Sequence, residues 1–156
     1  MKSGAKLRVV LADDNADCLQ VLVAIASEQY EVVAAAPDGM SALAAIRTLR
    51  PHVAVLDFEM PYRTGVEVVR ELANDLHKPA VIICSVNSSE ELITAARDAG
   101  ALGFVSKQCT ARDLIPALRA VSRKRAFFTS QKGAVKPRLT KAKTRPLKPS
   151  DFRRAS

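Results

Sequence analysis

The sequence has few of the residues that mark several protein classes. It has no tryptophan, aromatic residues make up 4% of its 156 residues, and its three cysteines are odd in number. Because no cysteine stands in a Cys-x-x-Cys or Cys/His metal spacing, we expect buried free thiols instead of a disulfide framework or a zinc site. No apolar run approaches the roughly 20 residues of a membrane span, so we expect a cytoplasmic protein without membrane contact.

Charge is distributed unevenly along the chain. Residues 1–122 hold twelve Lys and Arg against fifteen Asp and Glu, a net −3, whereas residues 123–156 hold twelve against one, a net +11. The length allows one domain of about 120 residues and a tail. We therefore predict a domain at residues 1–122 and a basic, proline-rich tail at 123–156. The tail has too few bulky apolar residues to offset its ordering entropy and is predicted to be disordered.

The first 122 residues alternate short apolar runs with segments of helical periodicity. Thr64 with Glu67, and Thr110 with Asp113, have the spacing of capping boxes at the starts of the third and fifth helices. Strict alternation with short connections predicts an α/β fold in which helices cover both faces of a parallel sheet. Five strands are predicted, at residues 6–12, 31–36, 52–57, 79–84 and 102–105, with a helix after each.

Polar residues stand at the ends of four predicted strands. Asp13 and Asp14 end the first strand, Asp57 ends the third, Ser85 follows the fourth and Lys107 follows the fifth. Because ligands of open α/β sheets bind outside the carboxyl ends of the strands, we expect these side chains to converge. Three carboxylates in one pocket repel each other, and a hard divalent cation such as Mg²⁺ would relieve that repulsion. An aspartate can also attack phosphorus, with the metal, the lysine and the serine stabilising the transferring group.

These motifs resemble the receiver domain of two-component response regulators over about residues 6–122. Besides the acidic pair, the matching features are Asp57 followed by Met60-Pro61 and Gly65, and Phe104 three residues before Lys107. The resemblance implies a flavodoxin-like, doubly wound sheet of five parallel strands in the order 2-1-3-4-5, with five helices. It also implies a phosphorylation-controlled signalling switch.

The resemblance assigns the phosphoryl acceptor and the metal ligands. Asp57 would accept a phosphoryl group from a sensor histidine kinase or a histidine phosphotransfer protein. Mg²⁺ would be bound by Asp14 directly, by Asp13 largely through water, by Asp57 and by the backbone carbonyl of Glu59. The protein would then be no enzyme beyond catalysing its own phosphoryl transfer and dephosphorylation.

The resemblance also assigns residues that respond to the phosphate. Lys107 would pair with the phosphate, Ser85 would move to hydrogen-bond it, and Phe104 would swing inward as the serine vacates space. The output would be a contact with another protein. Gln108 stands where the family usually has proline, which predicts that the loop at Lys107 is less rigid or lacks a cis peptide bond. Val86 stands where the family prefers a smaller residue, and predicts narrower access to the phosphate.

The junction after the fifth helix looks similar to that of LuxR/NarL-type transcription regulators, in which a DNA-binding module follows. No helix-turn-helix pattern can be written in residues 123–156, which are interrupted by Pro137, Pro146 and Pro149. We therefore expect no sequence-specific DNA reader. A basic tail can contact nucleic acid without sequence preference. The alternative is a solvated remnant of a lost domain.

Two further functions fit parts of this pattern. A haloacid-dehalogenase-like phosphatase also uses a strand-end Asp nucleophile and Mg²⁺, but that family has a second Asp two residues on, where this chain has Glu59, and a larger chain with a cap. The other function is nucleic-acid binding through residues 123–156, with the receiver as its regulator. The signalling switch accounts for more of the motifs than either alternative.

Overall fold

The structure of the protein, a computed structural model, describes residues 6–129 and 135–136. Five strands alternate with five helices, as the sequence predicts. Among the described residues, no helix has the length and apolar character needed to cross a membrane. The strands and helices, in chain order, are β1 (Arg8–Ala12), α1 (Ala16–Ala26), β2 (Glu31–Ala36), α2 (Gly39–Leu49), β3 (Val53–Asp57), α3 (Gly65–Leu72), β4 (Ala80–Ser85), α4 (Glu90–Ala99), β5 (Gly103–Ser106) and α5 (Thr110–Ser122).

The five strands are parallel and lie in the order β2-β1-β3-β4-β5, which confirms the predicted topology. Beyond β5 the sheet continues with β6 (Phe127–Thr129), parallel to β5, and β7 (Val135–Lys136), antiparallel to β6. Within the described residues the sheet thus has seven strands where the sequence predicts five. The segment from residue 123 onward, which is predicted to be disordered, supplies both β6 and β7. Most of the rest of that segment lies outside the described residues.

Strand β6 forms because its two phenylalanines find separate places in the core. Phe128 lies opposite Phe104 of β5 and joins the apolar cluster on one face of the sheet, while Phe127 joins the cluster on the other. The hydroxyl of Thr129 donates to the carbonyl of Phe104 at 3.2 Å. Burial of two large side chains offsets the ordering entropy of this short segment, although the surrounding composition predicts disorder.

Helices cover both faces of the sheet. Strand β3 is buried at all five positions, with alternate residues facing opposite layers, as its continuous apolar pattern predicts. Val53 and Val55 face the layer of α1 and α5, whereas Ala54 and Leu56 face the layer of α2, α3 and α4. Short aliphatic side chains therefore fill most of both layers, in keeping with the low aromatic content.

The two predicted capping boxes differ in outcome. At α3 the box is present: the Glu67 amide donates to the Thr64 hydroxyl at 3.0 Å, and the Thr64 amide donates to the Glu67 carboxylate at 2.9 Å. At α5 the predicted box is wrong. A 3₁₀ turn at Lys107–Cys109 precedes that helix, and the Thr110 hydroxyl donates to the Lys107 carbonyl instead of capping. The Asp113 carboxylate pairs with the adjacent guanidinium.

Replacing Phe128 with alanine should lower the free energy of unfolding by about 3 kcal/mol, because a large buried side chain is removed. Phe128 is 6% exposed. Denaturant unfolding followed by circular dichroism measures the change. Leu76→Ala is the matched control, since Leu76 is 90% exposed and its truncation should change stability by less than about 0.5 kcal/mol. A Phe128 variant as stable as the wild type would show that β6 adds nothing to the fold.

Candidate functional site

The carboxyl ends of the parallel strands bring the predicted site residues to one edge of the sheet. Asp13 follows β1, Asp57 is the last residue of β3, Ser85 is the last residue of β4, and Lys107 follows β5. In the strand register, Asp57 lies beside Cys84 and Ser85 lies beside Ser106. Since consecutive strands in the sheet end at nearly the same level, Asp13, Asp57 and Lys107 meet in a pocket at this edge.

Lys107 bridges two carboxylates within this pocket. Its Nζ lies 2.7 Å from Oδ2 of Asp13 and 3.2 Å from Oδ1 of Asp57. The Asp13 side chain is fully buried, that of Asp57 is 7% exposed and that of Lys107 is 14% exposed. Contacts between charges so far from water are weakly screened, so this cation strongly affects both carboxylates.

Local hydrogen bonds hold Asp13 in place. Its backbone amide donates to the Ala36 carbonyl at 3.0 Å, which ties the end of β1 to β2. Its Oδ1 accepts from the Asn15 amide at 2.9 Å, while the Asn15 side chain caps α1 by accepting from the Cys18 amide. Oδ2 has no hydrogen-bond partner among the described residues besides its ion pair with Lys107. One buried carboxylate oxygen therefore has capacity for a further positive ligand.

Asp13, Asp14 and Asp57 form an acidic cluster that could hold a metal ion. Each offers a carboxylate oxygen, and the three oxygens lie within 4.8 Å of one another. Asp14 is exposed, whereas the other two are buried, so the cluster opens to water on one side. Hard divalent cations prefer oxygen ligands, and Mg²⁺ usually retains several waters, so these residues fit such an ion.

Burial and charge shift the protonation of the two central groups. Burial, reinforced by the negative charge of Asp13, raises the pKa of Asp57 from 3.8 to about 6, although Lys107 acts in the opposite direction. Burial alone would lower the pKa of Lys107, but its contacts with Asp13 and Asp57 outweigh that effect and raise it. Lys107 therefore stays charged, and Asp57 ionises in the folded protein only at an energetic cost.

Two hydroxyl groups that the sequence analysis did not single out as site residues fix the turn at Lys107. The Ser106 hydroxyl accepts from the Gln108 amide at 3.2 Å, and the Thr110 hydroxyl donates to the Lys107 carbonyl at 3.1 Å. No peptide bond is cis among the described residues, including the one before Gln108. The sequence signal for this turn was a serine one residue before Lys107 and a threonine three residues after it, since such hydroxyls commonly bond to the backbone of turns.

Gly65 allows a close approach of the chain to Asp57. A Cβ atom at this position would lie 2.5 Å from the backbone oxygen of Asp57, which no side chain tolerates. The Gly65 amide donates to the Phe58 carbonyl, and the Phe58 amide donates to the Cys84 carbonyl, each at 2.9 Å. These bonds tie the loop after β3 to the sheet. Glu59 lies in this loop with its side chain exposed, and its carbonyl remains a predicted ligand.

The two predicted switch residues are both buried. The Ser85 hydroxyl accepts from the Asn87 amide at 3.1 Å, a bond that leaves its own hydrogen available to another acceptor. Phe104, which was expected to swing inward, is already fully buried in the layer of α2, α3 and α4. Val86, next to Ser85, is 63% exposed, at the rim where access was predicted to narrow.

Asp57→Asn should stabilise the protein more at about pH 7 than at about pH 4, in the absence of divalent ions. A folded-state pKa of about 6 means that the folded protein binds this proton more tightly than the unfolded chain does. The carboxyl group therefore makes stability fall as the pH rises from about 4 to about 6, and asparagine removes this fall.

Unfolding free energies of the two proteins at both pH values measure the effect. Asp98→Asn, at an exposed position on α4, is the control and should leave the pH dependence unchanged. An equal difference between Asp57→Asn and the wild type at both pH values would contradict the raised pKa.

Comparison with known proteins agrees with this geometry. The family model for the response regulator receiver domain matches residues 9–119. The transcriptional regulatory protein PdtaR of Mycobacterium tuberculosis is 34% identical over 142 residues, which cover 90% of this chain and 68% of PdtaR. A protein-glutamate methylesterase/protein-glutamine glutaminase of Myxococcus xanthus is 40% identical over 65% of this chain and 30% of its own length.

A solved structure shows the same fold. The receiver domain of the response regulator NarL from Mycobacterium tuberculosis superposes with a TM-score of 0.75 at 29% identity, covering 78% of this chain and all of that domain. The residues that the family model matches include Asp13, Asp14, Asp57 and Lys107. The chain therefore belongs to the response regulator receiver domain family, and it is a phosphorylation-controlled signalling switch.

Proposed function

We propose that Asp57 is the phosphoryl acceptor of this switch and that a sensor histidine kinase or a histidine phosphotransfer protein is the donor. The observation that supports this assignment is that Lys107 forms ion pairs with both Asp13 and Asp57 at the carboxyl ends of the strands. Asp57 is the central carboxylate of that cluster, at the end of a strand that is buried throughout. With a pKa of about 6 it is ionised, and hence nucleophilic, near neutral pH.

The transfer forms a bond between a carboxylate oxygen of Asp57 and phosphorus, while the bond from phosphorus to the donor's imidazole nitrogen breaks. The leaving nitrogen keeps the electron pair of that bond and can take a proton from water. Lys107, already 3.2 Å from the acceptor carboxylate, is placed to pair with the added negative charge. Mg²⁺, when bound, supplies further positive charge to the transferring group.

We assign the metal to Asp13, Asp14 and Asp57, with the Glu59 carbonyl as a further ligand. The cluster of three oxygens within 4.8 Å supports the first three ligands. Asp14 faces water and would bind the ion directly, whereas Asp13, held by Lys107 and by the Asn15 amide, would bind it largely through water. Asp13 would thus continue to hold the Lys107 ammonium, while Asp14 and Asp57 would hold the ion.

Ser85 and Phe104 would couple the phosphate to the surface. The free hydrogen of the Ser85 hydroxyl can be donated to a phosphate oxygen, and this contact exists only in the phosphorylated state. A contact made in one state shifts the population toward that state. Since the Phe104 side chain is already buried, we expect phosphorylation to change the fraction of time that it spends in this buried position.

The output of this switch is a protein contact, and its only catalysis is its own phosphorylation and dephosphorylation. A phosphatase of the haloacid-dehalogenase type would need a second aspartate, as its acid–base group, two residues after Asp57, where this chain has the exposed Glu59. The twelve cations of residues 123–156 favour an additional, non-specific contact with nucleic acid.

Incubation with a small phosphodonor and Mg²⁺ should add one phosphoryl group to the wild type and none to Asp57→Asn, as measured by intact mass. Lys107→Gln should slow the labelling, because it leaves the transferring charge without its partner. Asp98→Asn, remote from the cluster, should label like the wild type. Labelling of the Asp57 variant would refute the assignment. Turnover of a phosphomonoester far above one equivalent would favour the phosphatase.

Asp14→Asn should abolish measurable Mg²⁺ binding by titration calorimetry while leaving the fold intact. Asp14 is exposed and carries one of the three clustered charges, so its neutralisation removes repulsion and opens no cavity. In metal-free buffer the variant should be at least as stable as the wild type. Retained Mg²⁺ affinity would show that the ion lies elsewhere, and Asp98→Asn again serves as the control.

A further inference from the structure

A second cavity, of about 420 Å³, lies at the edge of the sheet where the strands begin, opposite the acidic cluster. Segments that precede β1, β3 and β4 line it, together with the end of α5. Its described lining contains no acidic residue and five basic ones, among them both histidines of the chain: Arg50, His52, His77, Lys78 and Lys124. Because residues 1–122 carry a net −3, such a concentration of positive charge is local.

Helix ends account for only part of this charge. Cations commonly gather at the carboxyl ends of helices, where they complement unpaired carbonyls. Here the Arg8 guanidinium serves the last carbonyls of α2, and Lys78 Nζ donates to the Ala73 carbonyl, just after α3, at 3.0 Å. Backbone amides of residues 123–125 serve the last carbonyls of α5. The side chains of Arg50, His52, His77 and Lys124 are therefore not needed to bind the carbonyls at these helix ends.

Four donors of the cavity have no acceptor within residues 6–129. The side chains of Arg50, His77 and Lys124 take part in none of the ion pairs of the described part of the chain. His52 accepts the Arg8 amide at its Nδ1, at 2.9 Å. The hydrogen of the imidazole is consequently on Nε2, which is left to donate.

We propose that this cavity binds phosphate groups, with Arg50, His52, His77 and Lys124 as the donors. A guanidinium can hold two phosphate oxygens at once, and the ammonium and imidazole groups add single donors. The volume lies in the range of ligand sites and exceeds that of one phosphate, so a nucleotide or adjacent phosphates of a strand can enter.

The position of the cavity favours a nucleic-acid strand as the source of the phosphates. Lys124 lines the cavity and belongs to the segment 123–156, whose net charge is +11. A strand with one phosphate in the cavity can extend past Lys124 to the neighbouring exposed Arg123 and Arg125, and would release more counterions than a free nucleotide would. The acidic cluster lies at the far edge of the sheet, where it repels the strand least.

The two histidines provide a direct measurement on the full-length, unphosphorylated protein. Their imidazole signals in nuclear magnetic resonance spectra report on the cavity and on no other part of the sequence. A short single-stranded oligonucleotide should shift both signals at low salt, and adenosine monophosphate or inorganic phosphate should require a higher concentration. If the mononucleotide acts at the same concentration as the strand, the site is confirmed and a free nucleotide is its ligand.

Charge removal tests the donors. Arg50→Gln combined with Lys124→Gln should weaken oligonucleotide binding and reduce the log–log salt slope by about 0.7 for each charge removed. Arg70→Gln, an exposed position on α3 outside the cavity, is the matched control and should keep the slope within error. Circular dichroism verifies folding, and Lys124→Gln alone provides the same test if the double variant unfolds.

Three outcomes would overturn the proposal. The strand could bind without shifting either imidazole signal, which would place the contact in the basic segment alone. Arg70→Gln could lose as much affinity as the cavity variant, which would indicate diffuse attraction. The third such outcome is that none of the three probes binds at low salt. Since none of these measurements requires phosphorylation, such a failure would leave the role of Asp57 untouched.

Discussion

The ammonium group of Lys107 lies between two buried carboxylates, and the chemistry of the site depends on this balance of charge. Without it, Asp13 and Asp57 would be like charges in a weakly screening pocket, and one would have to take up a proton. With it, Asp57 still has its pKa raised to about 6, so the pocket remains short of positive charge. That deficit favours a divalent cation, which the three clustered carboxylates fit.

The sheet supplies this arrangement with little help from long loops. Four parallel strands end at one edge, so residues far apart in sequence become neighbours without any connection having to cross the pocket. Fine positioning then comes from small groups: the hydroxyls of Ser106 and Thr110 fix the turn that presents Lys107, and Gly65 lets the returning chain touch the backbone of Asp57. Rigid strands place the charges, and these short contacts set their orientation.

The sequence predicted that Asp13, Asp57 and Lys107 come together, and they do, because the ends of parallel strands lie side by side whatever side chains they carry. The prediction of disorder at Phe127-Phe128 is wrong, because it rests on the average composition of the segment. That average does not register two adjacent bulky residues that face opposite layers of the core. It misassigned Thr110, whose spacing to Asp113 suits a capping box, because a 3₁₀ turn already used its hydroxyl. The basic cavity had no signal at all, since Arg50, His77 and Lys124 come together only through the ends of different elements.

Strand β6 pairs with the strand that precedes Lys107, although the family model ends at residue 119. Lys107 directly follows β5, and the other side of β5 carries β6, with Phe104 opposite Phe128 and the Thr129 hydroxyl bonded to the Phe104 carbonyl. The Arg97 guanidinium of α4 lies 4.4 Å from the centre of the Phe128 ring, so α4 is attached to the same edge. Under the proposed function, a phosphate on Asp57 would compete with Asp13 for Lys107 and would therefore act on the end of β5. Because β6 packs beside that strand and α4 contacts the Phe128 ring, these are the elements that such a displacement would reach first.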